Sequence, residues 1–83
     1  MDKLKEVFLE AAEDVLGLPQ DEMEDNMDLD LFENSLIDSM GCVSMMVYVE
    51  DALNKKISIE DMDPDDFATL NSMIAAVKRM LKI

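Results

Sequence analysis

Histidine and tryptophan are missing from this 83-residue chain, and cysteine occurs once. Without histidine there is no Ser–His or Cys–His nucleophile, and no imidazole to serve as base or metal ligand. The lone Cys42 excludes an internal disulfide and any multi-cysteine metal site. Basic residues are scarce: 7 Lys and Arg stand against 20 Asp and Glu, a net charge of −13. Such a surface does not neutralise phosphates, which excludes nucleic acid as a partner. A protein with a basic patch is the natural complement, because opposite potentials raise encounter rates. Aromatic residues are limited to Tyr48 and three Phe, although 49% of the chain is apolar. The core is therefore expected to be aliphatic and rich in methionine, of which there are nine. Methionine packs adaptably. No apolar run is long enough to span a bilayer, and Met1 to Glu6 lacks the apolar run of a signal peptide. The expected location is the cytoplasm.

What is present reads as one domain, residues 1–83, with no repeats or low-complexity tracts. Leu4, Val7, Phe8, Ala11, Val15 and Leu16 recur at three- and four-residue steps, which predicts an amphipathic helix. Asp2 is placed to cap it, Gly17 to end it in the left-handed conformation, and Pro19 prevents resumption. This first helix is roughly 14 residues long, about 21 Å. A long acidic connection follows from Leu18 to Asp38. Leu18, Met23, Met27, Leu29, Leu31, Phe32 and Leu36 are spaced through it and predict an ordered loop pinned to the core, with room for a turn of helix.

Ser39 to Leu53 predicts the second main helix, with Cys42, Met45, Met46, Val49 and Leu53 as its inner stripe. Its other face carries Met40, Val43, Ser44, Val47, Glu50 and Asp51. Apolar residues ringed by acids form a small docking surface; for Val43, burial on a second side of the middle helix is an equal reading. After Asn54-Lys55-Lys56, Ile57 and Ile59 pin an irregular segment, and Asp61 to Phe67 holds a short third helix with Pro64 in its first turn. Thr69 caps a last helix with Leu70, Met73, Ile74, Val77 and Leu81 on its stripe. Lys78, Arg79 and Lys82 lie in its final turns, where cations complement the dipole. The fold class is all-α, a small four-helix bundle of three main helices and a short third one.

Carboxylates abound, but acid–base work needs a cleft that shifts their pKa values, and a bundle this small rarely has one. No intrinsic catalysis is expected. Asp61, Asp63 and Asp65 match the first ligand positions of a calcium-binding loop. Asp66 then stands where the turn glycine belongs and Ser72 where a bidentate glutamate belongs, so no dedicated metal site is expected. Cys42, on the inner stripe, reads as a buried structural thiol.

Leu36-Ile37-Asp38-Ser39-Met40 remains. Aspartate and serine at a helix start are capping residues. The same place suits a phosphodiester attached to Ser39, because the positive end of the dipole faces it. An acidic helical adaptor that carries no prosthetic group is the alternative the residues leave open.

The chain resembles the acyl carrier and peptidyl carrier proteins over nearly its whole length. The likeness lies in Leu16-Gly17-Leu18, in Asn26 to Phe32, in Leu36-Ile37-Asp38-Ser39-Met40 and in Phe67-Ala68-Thr69-Leu70. The resemblance implies that a phosphopantetheinyl transferase moves 4′-phosphopantetheine from coenzyme A onto Ser39, with Asp38 as the adjacent acid that the transferase needs. The arm's thiol then holds acyl or aminoacyl groups as thioesters for loading and transferring enzymes with basic patches. Family docking maps onto Ser44, Val47, Glu50 and Asp51, with Ile57 near the third helix; Met40 and Val43 share that face. A free-standing monomer is implied. Two departures stand out: Ser35 replaces a frequent glycine, and Gly41 replaces a polar residue, loosening the first turn or admitting a partner. The resemblance implies service in fatty acid, polyketide or peptide-type biosynthesis. Asp-Ser-Met-Gly is most similar to the D-alanyl carrier branch, which serves teichoic acid esterification and is the alternative, though free-standing carriers of polyketide and peptide pathways share that motif.

The charge generates a prediction. At −13, self-repulsion weakens the fold, so added salt or magnesium raises the melting temperature by screening; calorimetry over a salt series checks it, and a flat profile contradicts it.

Overall fold

The computed structural model describes residues 3–82. Four α-helices follow in order: α1 (Lys3–Leu16), α2 (Gln20–Glu24), α3 (Ser39–Leu53) and α4 (Leu70–Leu81). Two 3-10 turns, Ile59–Asp61 and Pro64–Phe67, lie between α3 and α4. No strand occurs among the described residues. The bundle expected from the apolar periodicity is what forms.

Helix α1 buries Leu4, Val7, Phe8, Leu9, Ala11 and Ala12. It stops at Gly17, whose φ of +71° is open to glycine at little cost. There the Leu18 N–H donates to the Ala12 carbonyl at 3.2 Å, closing the helix end. Asp2, the expected cap, lies outside the described residues.

The acidic connection is ordered and contains α2, one short helix whose Met23 is buried. Leu31 is fully buried. Its N–H donates to the Ala68 carbonyl at 2.7 Å, and the Leu36 N–H returns to the Leu31 carbonyl at 2.8 Å. The Asn71 N–H donates to the Met27 carbonyl at 3.1 Å, and its side-chain amide to Asp28 Oδ1 at 2.8 Å. The loop is thus hydrogen-bonded to the start of α4. Phe32 departs from the expected pinning: it is 42% exposed. Two neighbouring residues in irregular backbone rarely face one core, and here Leu31 takes the inner place.

Helix α3 buries Gly41, Cys42, Met45, Met46 and Val49 against α1, with Leu53 half-buried beside them. It ends at Asn54 in the left-handed conformation, φ 53°. The short third helix is resolved into the two 3-10 turns. Met62 and Phe67 both enter the core, and the few residues between them make i→i+3 bonds. Pro64 opens the second turn, and the Asp63 and Asp66 side chains box it reciprocally. Arg79 of α4 reaches Asp66 Oδ2 at 3.4 Å, an exposed contact of small worth.

Helix α4 begins with a second reciprocal box. The Ser72 N–H donates to Thr69 Oγ1 at 2.9 Å, and the Thr69 N–H to Ser72 Oγ at 3.0 Å. Leu70, Met73, Ile74, Ala76 and Val77 are buried. They join the rest in one core whose largest members are a phenylalanine, leucines and methionines.

Leu31 and Phe32 make a paired test of the loop. Leu31→Ala is expected to cost roughly 2–5 kcal/mol in denaturant titration, and Phe32→Ala less than about 1 kcal/mol.

Candidate functional site

The site is built at the junction of the long loop with α3. Asp38 is extended (φ −128°, ψ −176°) and its carboxylate accepts the Gly41 N–H at 2.7 Å. The Cys42 N–H donates to the Asp38 carbonyl at 3.0 Å, the first helical bond. Asp38 is therefore the N-cap and Ser39 the first helical residue. The capping duty falls on the acid, and the Ser39 hydroxyl is exposed and takes no part in it. A hydroxyl on the first helical residue lies at the positive end of a 15-residue helix.

The turn before the cap is set by Asp30. Its Oδ1 accepts the Glu33 N–H at 2.9 Å, and its carbonyl accepts the Asn34 side-chain amide at 2.7 Å. Positive φ falls on Ser35, at 57°. Ser35 holds a left-handed conformation that disfavours any Cβ by about 1–2 kcal/mol, which accounts for glycine being frequent there.

Gly41 serves a different purpose from the expected ones. It is buried, and a Cβ on it would lie 3.1 Å from Ile37 Cγ1, 3.2 Å from Leu16 Cδ2 and 3.3 Å from Asp38 Oδ1. The missing side chain lets this chain's own Ile37 and Leu16 close over the helix start, so the first turn is packed and the space is not a partner's. Cys42 is buried one turn on. Burial, and then the nearby Asp38 carboxylate, push its thiol above the usual range.

Two depressions flank the site. One, about 570 Å³, is lined by Leu16, Phe32, Ser35, Leu36, Met40 and Ser44 among others. The other, about 260 Å³, has an apolar wall that includes Phe32, Cys42, Val43, Met62 and Phe67, with Ser39 at its edge. Phe32 lines both. Its place in the site was masked in the sequence by its Leu31 neighbour; the adjacent apolar pair in a loop was the available signal.

The outer face of α3 exposes Met40 (78%), Val43 (50%) and Val47 (45%), together with Ser44 and Asp51. Val43 is thus outside the core. Glu50 is half-buried, and its Oε2 accepts the Ile57 N–H at 2.7 Å. Ile57 departs from the expected docking set. Its side chain is buried in the core, where it anchors the segment after α3. On the flank of α3, Tyr48 faces the acids of α1: burial, then Glu10, Asp14 and Glu13, raise its hydroxyl pKa.

This arrangement fits a phosphodiester-linked arm. An accessible hydroxyl lies at a helix N-terminus, no carboxylate other than the capping Asp38 flanks it in the chain, and an apolar depression adjoins it.

Comparison with known proteins agrees with that chemistry. The family model described as "Phosphopantetheine attachment site" matches residues 6–77. The chain is 34% identical over 80 residues to the D-alanyl carrier proteins of Bacillus cereus (strain B4264) and Bacillus anthracis (strain CDC 684 / NRRL 3495). Each alignment covers 96% of this chain and 99% of the relative.

The raised thiol pKa of Cys42 has a measurable sign. Above the ordinary thiol range near about 8.5, the unfolded chain loses its proton first, so stability falls as pH rises through the alkaline region. Cys42→Ala is expected to flatten that slope in denaturant titrations, and an unchanged slope contradicts the assignment.

Proposed function

We propose, because the chain belongs to the phosphopantetheine-attachment family of carrier proteins, that Ser39 is the residue to which its prosthetic group is joined. The chain is a carrier protein, and its cofactor is covalent 4′-phosphopantetheine. The observation that carries the assignment to Ser39 is the division of labour at the helix start. Asp38 caps α3 through Gly41, which leaves the neighbouring hydroxyl exposed at the positive end of the helix.

When attached, the group supplies a thiol on which acyl or aminoacyl cargo is held as a thioester. The protein's own contributions are display and docking. Ser39 Oγ holds the phosphate, the dipole of α3 favours its charge, and Phe32, Val43 and Met62 provide apolar surface beside it. Asp38 is the acid that the transferase uses. Met40, Val43, Ser44, Val47 and Asp51 form the docking face, with Glu50 at its edge. Partners with basic patches suit a chain of net charge −13. The single domain works as a monomer in the cytoplasm and as a substrate of its partners; it performs no catalysis itself. No helix among the described residues is long and apolar enough to cross a membrane.

The cargo reading favoured by the relatives is D-alanine, since those 34% identical chains are named D-alanyl carrier proteins. Incubating the loaded chain with D-alanine, ATP and an adenylating ligase is expected to add one D-alanyl group, read by intact mass. Exclusive loading with fatty acyl groups would overturn the D-alanyl reading.

Two substitutions separate the roles at the junction. Ser39→Ala, incubated with coenzyme A, magnesium and a broad-specificity transferase, is expected to gain no mass, while the parent chain gains one phosphopantetheine. Asp38→Asn keeps a capping oxygen, so melting is expected to shift by less than about 1 kcal/mol, while the loading rate falls. Full labelling of Ser39→Ala would remove the site assignment.

A further inference from the structure

The docking face contains one atom that is chemically reactive as well as apolar. The thioether of Met40 lies in the residue directly after Ser39, and Met40 is 78% exposed. The other methionines among the described residues are protected. Met23, Met45, Met46, Met62 and Met73 are buried, and Met27 and Met80 are half-buried against the core. Met40 shares its helix face with Val43 and Val47, at i+3 and i+7, neither of which can be oxidised under mild conditions.

We propose that Met40 is an oxidation site whose sulfoxide weakens docking of partner enzymes at Ser39. Susceptibility of methionine follows exposure, and the fold exposes this one next to the attachment residue. The oxidant is a hydroperoxide. The sulfur lone pair attacks the distal peroxide oxygen, the O–O bond breaks and an S–O bond forms. The departing oxygen takes a proton and leaves as water or an alcohol, so sulfur loses two electrons and the peroxide gains them. A thiol-dependent methionine sulfoxide reductase reverses the step: two thiols become a disulfide and the oxygen leaves as water.

The physical effect is local. The sulfoxide oxygen is a strong hydrogen-bond acceptor placed in an apolar patch. A partner that covers it without a donor loses about thirtyfold in affinity, which is about 2 kcal/mol. The fold itself is unaffected, because Met40 belongs to neither the core nor the layer packed against it. The effect on docking rests on the reading of Ser39 given above.

The test treats the unmodified chain with dilute hydrogen peroxide and maps sulfoxides by peptide mass spectrometry. Met40 is expected to oxidise before the other described methionines, with an unchanged melting temperature. Transferase loading from coenzyme A is then expected to slow by about thirtyfold and to recover after treatment with the reductase. Met40→Leu is expected to lose all sensitivity of loading to peroxide, whatever its starting rate. Equal oxidation of the buried methionines, or a lowered melting temperature, overturns the selectivity. Loading at the parent rate by the Met40 sulfoxide overturns the effect on docking while Ser39 stands. A parent chain that gains no phosphopantetheine, or gains it with Ser39→Ala, overturns the attachment reading and takes the docking effect with it.

Discussion

The bond from the Gly41 N–H to Asp38 Oδ1, 2.7 Å long, sets the point at which loop becomes helix, and the site follows from that point. An N-cap of this kind is worth about 1 kcal/mol, small beside the core, but it decides register. Were the helix to begin one residue later, Ser39 would become the cap and its oxygen would be engaged by a backbone N–H. Gly41 makes the arrangement possible twice over. It donates the hydrogen bond, and by lacking a side chain it lets Ile37 and Leu16 close beneath the turn. The exposed hydroxyl is thus held by a packed support.

Charge and apolar surface are distributed with different purposes. Twenty acids lie in a chain of 83 residues, and several of the carboxylates are employed locally. Asp30 organises the turn before the site, Asp28 holds Asn71, Glu50 holds the Ile57 backbone, and Asp66 boxes a 3-10 turn. The remainder supply a long-range field that favours basic partners. The exposed apolar residues Phe32, Met40, Val43 and Val47 gather near the start and outer face of α3. In the docking role proposed for this face, a negative field steers approach and a small apolar patch supplies contact area once a partner has arrived.

Much of this was legible in the sequence. The 3.6-residue periodicity marked α1, α3 and α4 with their inner stripes, and Gly17 and Thr69 marked one end and one start. Those signals are local, and packing reinforces them. The signals that misled were those in which tertiary context decides. The residues themselves read Ile57 as a pin for the segment after α3, and its burial agrees; the docking role came from the family resemblance alone, which does not see that the core takes the side chain. Phe32 looked internal as one of the apolar residues spaced through the loop, yet Leu31 had the inner place. The short third helix gives way to two 3-10 turns; Met62 and Phe67 both enter the core, and on one α-helix residues five apart would face about 140° away from each other. Gly41 read as looseness; only the positions of Ile37 and Leu16 show that it is a tight contact.

The hydrogen bonds from Asn71 to Met27 and Asp28, and from Leu31 to Ala68, have a consequence for synthesis. A ribosome makes the chain from its N-terminus, so α1, the loop and α3 emerge before the residues that clamp the loop. Contacts of such wide sequence separation form late. The loop that leads to the serine junction is therefore clamped only once Ala68 and Asn71 have left the exit tunnel, whereas the Asp38–Gly41 bond at the junction itself is local and free to form earlier.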